Sequence, residues 1–204
     1  MVGLDCVRIN HNISRSRREM SCGCGKKKTG GTIHFMGHDS TQLADPLDWG
    51  PIVWKYLHCS AEKLGMSGDV VIDGDQANYF EAVISNLYLI LPCTECQGHA
   101  SAYILANPIS LKGLQGNTLR ETARNWLFTF HNSVRTMKGQ SIIVNDINAF
   151  IQLYANCFVP RCEYTFFVES VAYAVRQGWV RISDWKKWYS NSERLRMISG
   201  NIVM

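Results

Sequence analysis

The chain has 204 residues, of which 46% are hydrophobic and 19% are charged. This composition is typical of one ordinary globular domain with tails and excludes a mostly disordered chain. The net charge of +4 is concentrated in residues 1–28, where seven Lys and Arg stand against two acidic residues. A basic tail on a nearly neutral domain is usually a solvated arm and only sometimes contacts nucleic acid or a membrane surface, so we expect no nucleic-acid partner. No apolar run approaches the ~20 residues that a membrane-spanning helix needs, so no membrane span is expected either.

The elements follow in chain order. Residues 1–45, rich in Gly and Lys towards their end, predict a flexible basic tail. Helical periodicity and capping residues then predict five helices. Their approximate bounds are 48–63, with Asp48 as cap; 75–91, with Asp75 as cap; 93–107; 117–135, with Asn117 or Thr118 as cap; and 145–156, with Asn145 as cap. Strands do not alternate with these helices, so the sequence predicts an all-α helical bundle.

Two more helices are predicted beyond Pro160, at 164–177 and 183–199. The second is aromatic and basic. Its tryptophans are expected to pack on the bundle with the charges facing water, and binding of a partner protein is the alternative. We therefore divide the chain into a tail at 1–45, a main bundle at 46–158 and a helical C-terminal extension at 159–204.

The chain has eight cysteines, and their spacing raises the question of metal binding or redox chemistry. Cys93 and Cys96 follow Pro92 at a predicted helix start, where the helix dipole stabilises a thiolate. Two cysteines at this spacing form a reducible disulfide or supply half of a zinc site. His99 lies three residues further on the same helix, so the three side chains also form a partial zinc site.

Two further patterns point to a ligand, each with a simpler explanation. On the fourth helix one face carries Arg124, Phe128, His131, Arg135 and Lys138. This stripe suits an anionic ligand with a ring and phosphates, or it is a solvated basic face. On the first helix Trp54 and His58 are one turn apart, which fits a core pair or a cofactor contact.

Four motifs occur together along the chain. They are WGPIVWxxxH at 49–58, PCxxCxxHA at 92–100, NPI at 107–109 and WxxxxHNxV at 126–134. In this order they resemble the Erv/ALR flavin-linked sulfhydryl oxidases. The WGPxxW and CxxCxxHA forms are most similar to the thiol oxidases of large cytoplasmic DNA viruses. The resemblance covers about 46–156, roughly half of the chain.

This resemblance implies a four-helix bundle with a short fifth helix that binds FAD and forms a homodimer. It implies that Cys93 takes electrons from a thiol protein or a small redox carrier protein. Cys96 would face the flavin, and O2 would be the final acceptor, giving H2O2. The resemblance implies a cofactor site that includes Trp54, His58, Cys96, His131, Asn132 and Val134, with His99 helping to hold Cys96 as a thiolate. Arg135 stands where the family has an Asn, and Lys138 lies near but not on the family's Lys; both are added to the site because the basic stripe suits the phosphates. It further implies a host cytoplasmic or virion location, with the mitochondrial intermembrane space as the alternative.

The other cysteines are assigned separately. Cys22 and Cys24 are candidates for the shuttle pair that family members often carry on a tail, or they form an incidental or metal-binding CxC. Cys157 and Cys162 bracket Pro160 and are expected to form a local structural disulfide. Cys59 is expected to be a buried apolar thiol, and Cys6 has no assigned role. The alternative function is a non-enzymatic, zinc-stabilised helical interaction protein that uses Cys93, Cys96 and His99.

Overall fold

The computed structural model describes residues 40–143, 145–200 and 203. Cys6, Cys22 and Cys24 lie outside these residues, so the candidate shuttle pair stays a prediction. The described part contains eight α-helices and one short 3-10 helix, which confirms the all-α class. Their bounds are α1 Ser40–Ala44, α2 Pro46–Lys63, α3 Val70–Ser85, the 3-10 helix Leu87–Leu89, α4 Thr94–Ala106, α5 Gly116–Met137, α6 Ile147–Tyr154, α7 Arg161–Arg176 and α8 Ile182–Ile198.

The helices exist where the sequence predicts them, but several begin at a different residue. Helix α2 begins earlier because Asp45 is its cap and accepts a hydrogen bond of 2.8 Å from the backbone N–H of Leu47. Pro46 follows in the first helical position, which favours this start. Helix α3 also begins earlier, with Asp69 as cap in place of Asp75. Helix α6 is capped by Asp146 and not by Asn145.

Helices α2 to α5 form the bundle, and α7 and α8 pack against it. Helix α8 lies on α3, whereas α7 lies on α2 and on α1. The side chain of Trp188 on α8 is fully buried, and its indole N–H donates to the backbone oxygen of Val83 at 2.9 Å. Lys186 and Lys187 are exposed, so the predicted packing of this aromatic, basic helix is confirmed. Helix α1 falls within the predicted tail, yet its Leu43 is fully buried.

The predicted disulfide between Cys157 and Cys162 is wrong. Cys157 is bonded to Cys59, from which it is separated by 98 positions in the sequence, and their Cα atoms are 5.4 Å apart. Cys59 is therefore not a free buried thiol. Cys162 is also disulfide-bonded, to a cysteine other than Cys157. The short spacing of Cys157 and Cys162 suggested a local bond, but the chain after α6 returns to the inner face of α2.

The described residues contain no candidate for a membrane-spanning helix. None of the helices there is both long and apolar enough to cross a bilayer.

Candidate functional site

A cavity of about 440 Å³ lies between α2, α4, α5 and the segment that joins α5 to α6. Its volume is typical of small-molecule and cofactor sites. Six residues of the predicted cofactor site line it: Trp54, Cys96, His131, Val134, Arg135 and Lys138. The fold therefore brings motifs from three separate helices around one space.

Three predicted residues are not part of this lining. His58 lies behind His131 and is joined to it by a hydrogen bond. The side-chain oxygen of Asn132 accepts a hydrogen bond of 3.3 Å from the backbone N–H of Ile143, which itself lines the cavity. His99 is half-buried on α4, and its Nδ1 has no hydrogen-bond partner among the residues described. The geometry thus gives His58 and Asn132 supporting positions behind the lining.

One wall of the cavity is a stack of neutral rings. The Trp54 ring lies parallel to that of His131, with ring centroids 3.8 Å apart. His131 Nδ1 lies 3.0 Å from His58 Nε2. Burial, followed by the charge of Arg135, lowers the pKa of His131 to about 3. Burial also lowers the pKa of His58 well below its usual value. Both imidazoles are neutral near pH 7, so one nitrogen of the pair donates and the other accepts.

The two cysteines lie where α4 begins, and they face different surroundings. Cys93 is the N-cap, and its Sγ accepts a hydrogen bond of 3.2 Å from the backbone N–H of Cys96. Both are buried thiols, but only Cys96 lines the cavity. The helix start therefore holds the Cys96 sulfur at the cavity and the Cys93 sulfur outside its lining.

The Cys93 thiol is more acidic than its burial alone would allow. A hydrogen bond from the Cys96 thiol is the largest cause that lowers the pKa of Cys93 to about 6. The backbone N–H of Cys96 and the charge of Lys138 act in the same direction, against the effect of burial. Lys138 Nζ lies 3.8 Å from Cys96 Sγ. The pair is thus arranged to hold a negative charge near neutral pH.

The predicted basic stripe on α5 is divided by the structure. Arg135 and Lys138 line the cavity, and the Arg135 Nε donates to the backbone oxygen of Ser141 at 2.6 Å. Arg124 instead forms a two-point ion pair with Glu62 on α2, at 2.7 and 2.6 Å. Arg124 is therefore neither a solvated charge nor a ligand for an anion, because α2 presents a carboxylate opposite it.

Several lining residues were not singled out from the sequence. Trp49 lies within the WGPIVWxxxH motif, and its indole Nε1 is buried without a hydrogen-bond partner among the residues described. Tyr154 closes the cavity from α6, and its ring stacks on His58 with centroids 4.4 Å apart. Phe150, on the same helix, packs edge-on against His58 at 4.6 Å. The motif could have identified Trp49, but the place of α6 depends on tertiary packing.

The zinc alternative finds no support in the described ranges. No three His, Cys, Asp or Glu side chains are grouped there as ligands for a metal ion. Cys93 and Cys96 instead hydrogen-bond to each other.

The low pKa of Cys93 predicts that this thiol is alkylated at a lower pH than an ordinary cysteine. In the reduced protein, the rate of reaction of Cys93 with iodoacetamide should fall as the pH decreases through about 6, since only the thiolate reacts. Lys138→Ala should move the midpoint to higher pH, because the lysine charge favours the thiolate. The rate is followed by mass spectrometry of the peptide that contains Cys93. The exposed Lys112 provides the control, because Lys112→Ala leaves this environment intact. A midpoint near 9 would contradict the arrangement of the pair.

Comparison with known proteins places the chain in a family. A sequence profile of the Erv1 / Alr family matches residues 51–160. An FAD-linked sulfhydryl oxidase of African swine fever virus, from a Kenyan isolate, is 30% identical over 123 residues, which cover 58% of this chain and 89% of the relative. The protein of that name from a Malawian isolate is 32% identical over the same shares. No solved structure matches at a comparable significance. A match over more than half of the chain, on the residues that form the bundle and its cavity, shows that this chain belongs to the Erv1/Alr family.

Proposed function

We propose that the chain is an FAD-dependent thiol oxidase in which Cys93 takes electrons from a thiol substrate and Cys96 passes them to the cofactor. One observation carries this order: Cys96 lines the cavity, whereas Cys93, its neighbour at the helix start, does not. The names of the viral relatives support the reaction class. We further propose that the main bundle at 46–158 carries the activity.

The lining of the cavity suits FAD in its flat rings and in its polar groups. Trp54 and His131 offer flat, neutral ring surfaces, and Arg135 and Lys138 supply cations for the phosphates. The buried Nε1 of Trp49 is a donor that lacks a partner in the described protein and lies in a residue of the lining. A bound cofactor with polar edges would satisfy such a donor.

The chemistry of the cysteine pair follows from thiol exchange. A substrate thiolate attacks the Cys93 sulfur of the oxidised pair, the Cys93–Cys96 bond breaks, and Cys96 leaves as a thiolate beside Lys138. A second substrate thiol then attacks the mixed disulfide. Cys93 leaves as a thiolate, which its low pKa favours, and the substrate keeps the new disulfide. When bound, FAD supplies the acceptor for the two electrons of the reduced pair and delivers them to O2, giving H2O2.

The remaining residues act by position. His58 holds the His131 ring through their hydrogen bond. Asn132 holds Ile143 against the cavity. His99, with its unsatisfied Nδ1, lies one helical turn from Cys96 and is proposed to act on the cofactor side of the pair.

The proposal extends to the partners of the reaction. The substrate is a thiol protein or a small redox carrier protein, and Cys22 and Cys24 on the tail are candidates for a shuttle to Cys93. We propose that the protein forms a homodimer. We also propose a location in the host cytoplasm or the virion, which the viral origin of the relatives supports.

The visible spectrum of the purified protein tests the proposed function. We expect a yellow protein with flavin absorption near ~450 nm that bleaches with dithiothreitol and recovers in air. Recovery must be accompanied by one molecule of H2O2 for each dithiothreitol oxidised. A colourless protein that releases zinc in acid would overturn the oxidase and favour the zinc-stabilised interaction protein.

A further inference from the structure

A second concave surface lies on the opposite side of α4 from the cofactor cavity. It has a volume of about 480 Å³, and we call it the α4 groove. Helix α4 supplies Thr94, Gln97, Gly98, Ser101 and Leu105 to it, at the spacing of one helix face. Cys96 and Ala100 point from the same helix into the cofactor cavity. One helix therefore separates the two spaces.

The far wall of the α4 groove comes from the C-terminal extension. Trp179, Arg181 and Asp184, from the loop between α7 and α8 and the start of α8, line it. All three lie beyond residue 160, where the match to the Erv1/Alr family ends. The groove is thus built mainly from the family bundle, with one wall from a segment that lies beyond the family match.

The extension is tied directly to the segment that carries Cys93. The side-chain amide of Gln97 donates to the backbone oxygen of Leu91, two residues before Cys93, at 2.9 Å, and to that of Trp179 at 3.2 Å. The groove therefore begins at the redox pair, because Thr94 directly follows Cys93 and lines it.

Two apolar side chains that line the α4 groove are exposed. The side chain of Leu105 is 68% exposed and that of Trp179 is 42% exposed. The only charges in the described lining, Arg181 and Asp184, are paired with each other at 2.7 Å. Exposed apolar groups around a concave surface are typical of binding sites for a partner chain, and this charge balance favours an apolar segment over a charged one.

Access to Cys93 supplies the reason for such a site. Cys93 is only 4% exposed, so little of its surface is open to an attacking thiolate. Cys96 faces the cofactor cavity. A thiolate attacks the Cys93 sulfur in line with the Cys93–Cys96 bond that breaks, and therefore from the side away from Cys96. A protein thiol must therefore be presented by a chain that lies against the neighbouring surface. From Thr94 to Leu105 the helix rises about 16 Å, the length of about five extended residues.

We infer that the α4 groove binds the thiol substrate as an extended segment with apolar residues within about five positions of its reactive cysteine, and that Trp179 and Leu105 select this segment. The inference rests on the proposed oxidase function and adds the class of protein substrate. It assigns to the C-terminal extension a part in substrate choice.

Two synthetic peptides test this selection with the full-length, flavin-loaded protein. Both contain the dithiol Cys-Gly-Ser-Cys; one has Leu-Ser-Leu on each side and the other has Gly-Ser-Gly. We expect kcat/KM to be at least tenfold higher for the leucine peptide, mainly through a lower KM. In the double variant Leu105→Ser/Trp179→Ala, this preference should fall below twofold. Each rate is expressed relative to dithiothreitol turnover of the same preparation, so a partly folded variant does not mimic the effect.

Met197 provides the matched control, since it is an apolar residue of the extension that is 73% exposed and lies outside the groove. Met197→Ser should keep the full peptide preference. Equal rates of wild-type protein with both peptides, or an undiminished preference in the double variant, would overturn the inference. A change of oligomeric state in the double variant without a change of preference would also overturn it and assign the groove to a second copy of the chain. A protein without flavin or without dithiothreitol turnover would instead refute the proposed function.

Discussion

Replacement of Cys96 by serine is expected to lower thiol oxidation by about 10³-fold or more while the flavin remains bound. Cys96 is the only cysteine of the described chain that lines the cavity. In the proposed mechanism its loss removes the route for electrons, and loss of a residue that carries the chemistry has effects of this size. The sulfur-to-oxygen change barely alters volume, so the 450 nm band should persist. Turnover is measured by oxygen consumption with dithiothreitol, and flavin content by the spectrum after gel filtration.

Two companion variants separate the roles of the two sulfurs. Cys93→Ser should also abolish turnover. The two variants should differ in how fast the remaining cysteine reacts with an aromatic disulfide reagent. In the flavin-loaded proteins, Cys96 of Cys93→Ser should react more slowly than Cys93 of Cys96→Ser. Ala102→Ser, at an exposed position of the same helix, serves as the control and should keep full turnover. If Cys96 reacts faster than Cys93, the proposed order of the two sulfurs is wrong.

Replacement of Trp188 by alanine is expected to lower the free energy of unfolding by about 3–5 kcal/mol. The change removes a fully buried indole and leaves a cavity between α8 and α3. It also removes the donor to the backbone oxygen of Val83, which would be left buried and unsatisfied. Urea unfolding followed by circular dichroism measures the loss.

A neighbouring aromatic residue shows whether the effect depends on burial. Tyr189, on the same helix, is 37% exposed, so Tyr189→Ala should cost less than about 1 kcal/mol. A similarly small loss for Trp188→Ala would show that the C-terminal extension is not part of the folded core. The expected loss would instead mean that the extension stabilises the bundle as well as lining the α4 groove.

The features that could be predicted from the sequence are those that depend on neighbours along the chain. The spacing of Cys93 and Cys96 after Pro92 places both thiols at one helix start, and the structure has them there. Helical periodicity likewise predicts each main helix. The start of α3 was missed because two aspartates, Asp69 and Asp75, are both suitable caps and only packing selects between them.

The features that the sequence left open join distant parts of the chain. Cys157 has Cys162 as its near neighbour, but it bonds to Cys59, 98 positions away. Arg124 has the spacing of a ligand-binding stripe, but it pairs with Glu62 across two helices. No local pattern encodes which surface a helix meets, so partners of this kind cannot be read from spacing.

The sequence by itself therefore determined the helical class, the place of Cys93 and Cys96 at one helix start and, through four motifs in order, the resemblance to the Erv1/Alr family, because each of these depends on short segments. Only the tertiary structure decided which sulfur meets the cavity, which charges remain beside it and how the extension meets Gln97. The physical reason is that burial and ion pairing depend on how the helices pack, and packing is a property of the whole chain.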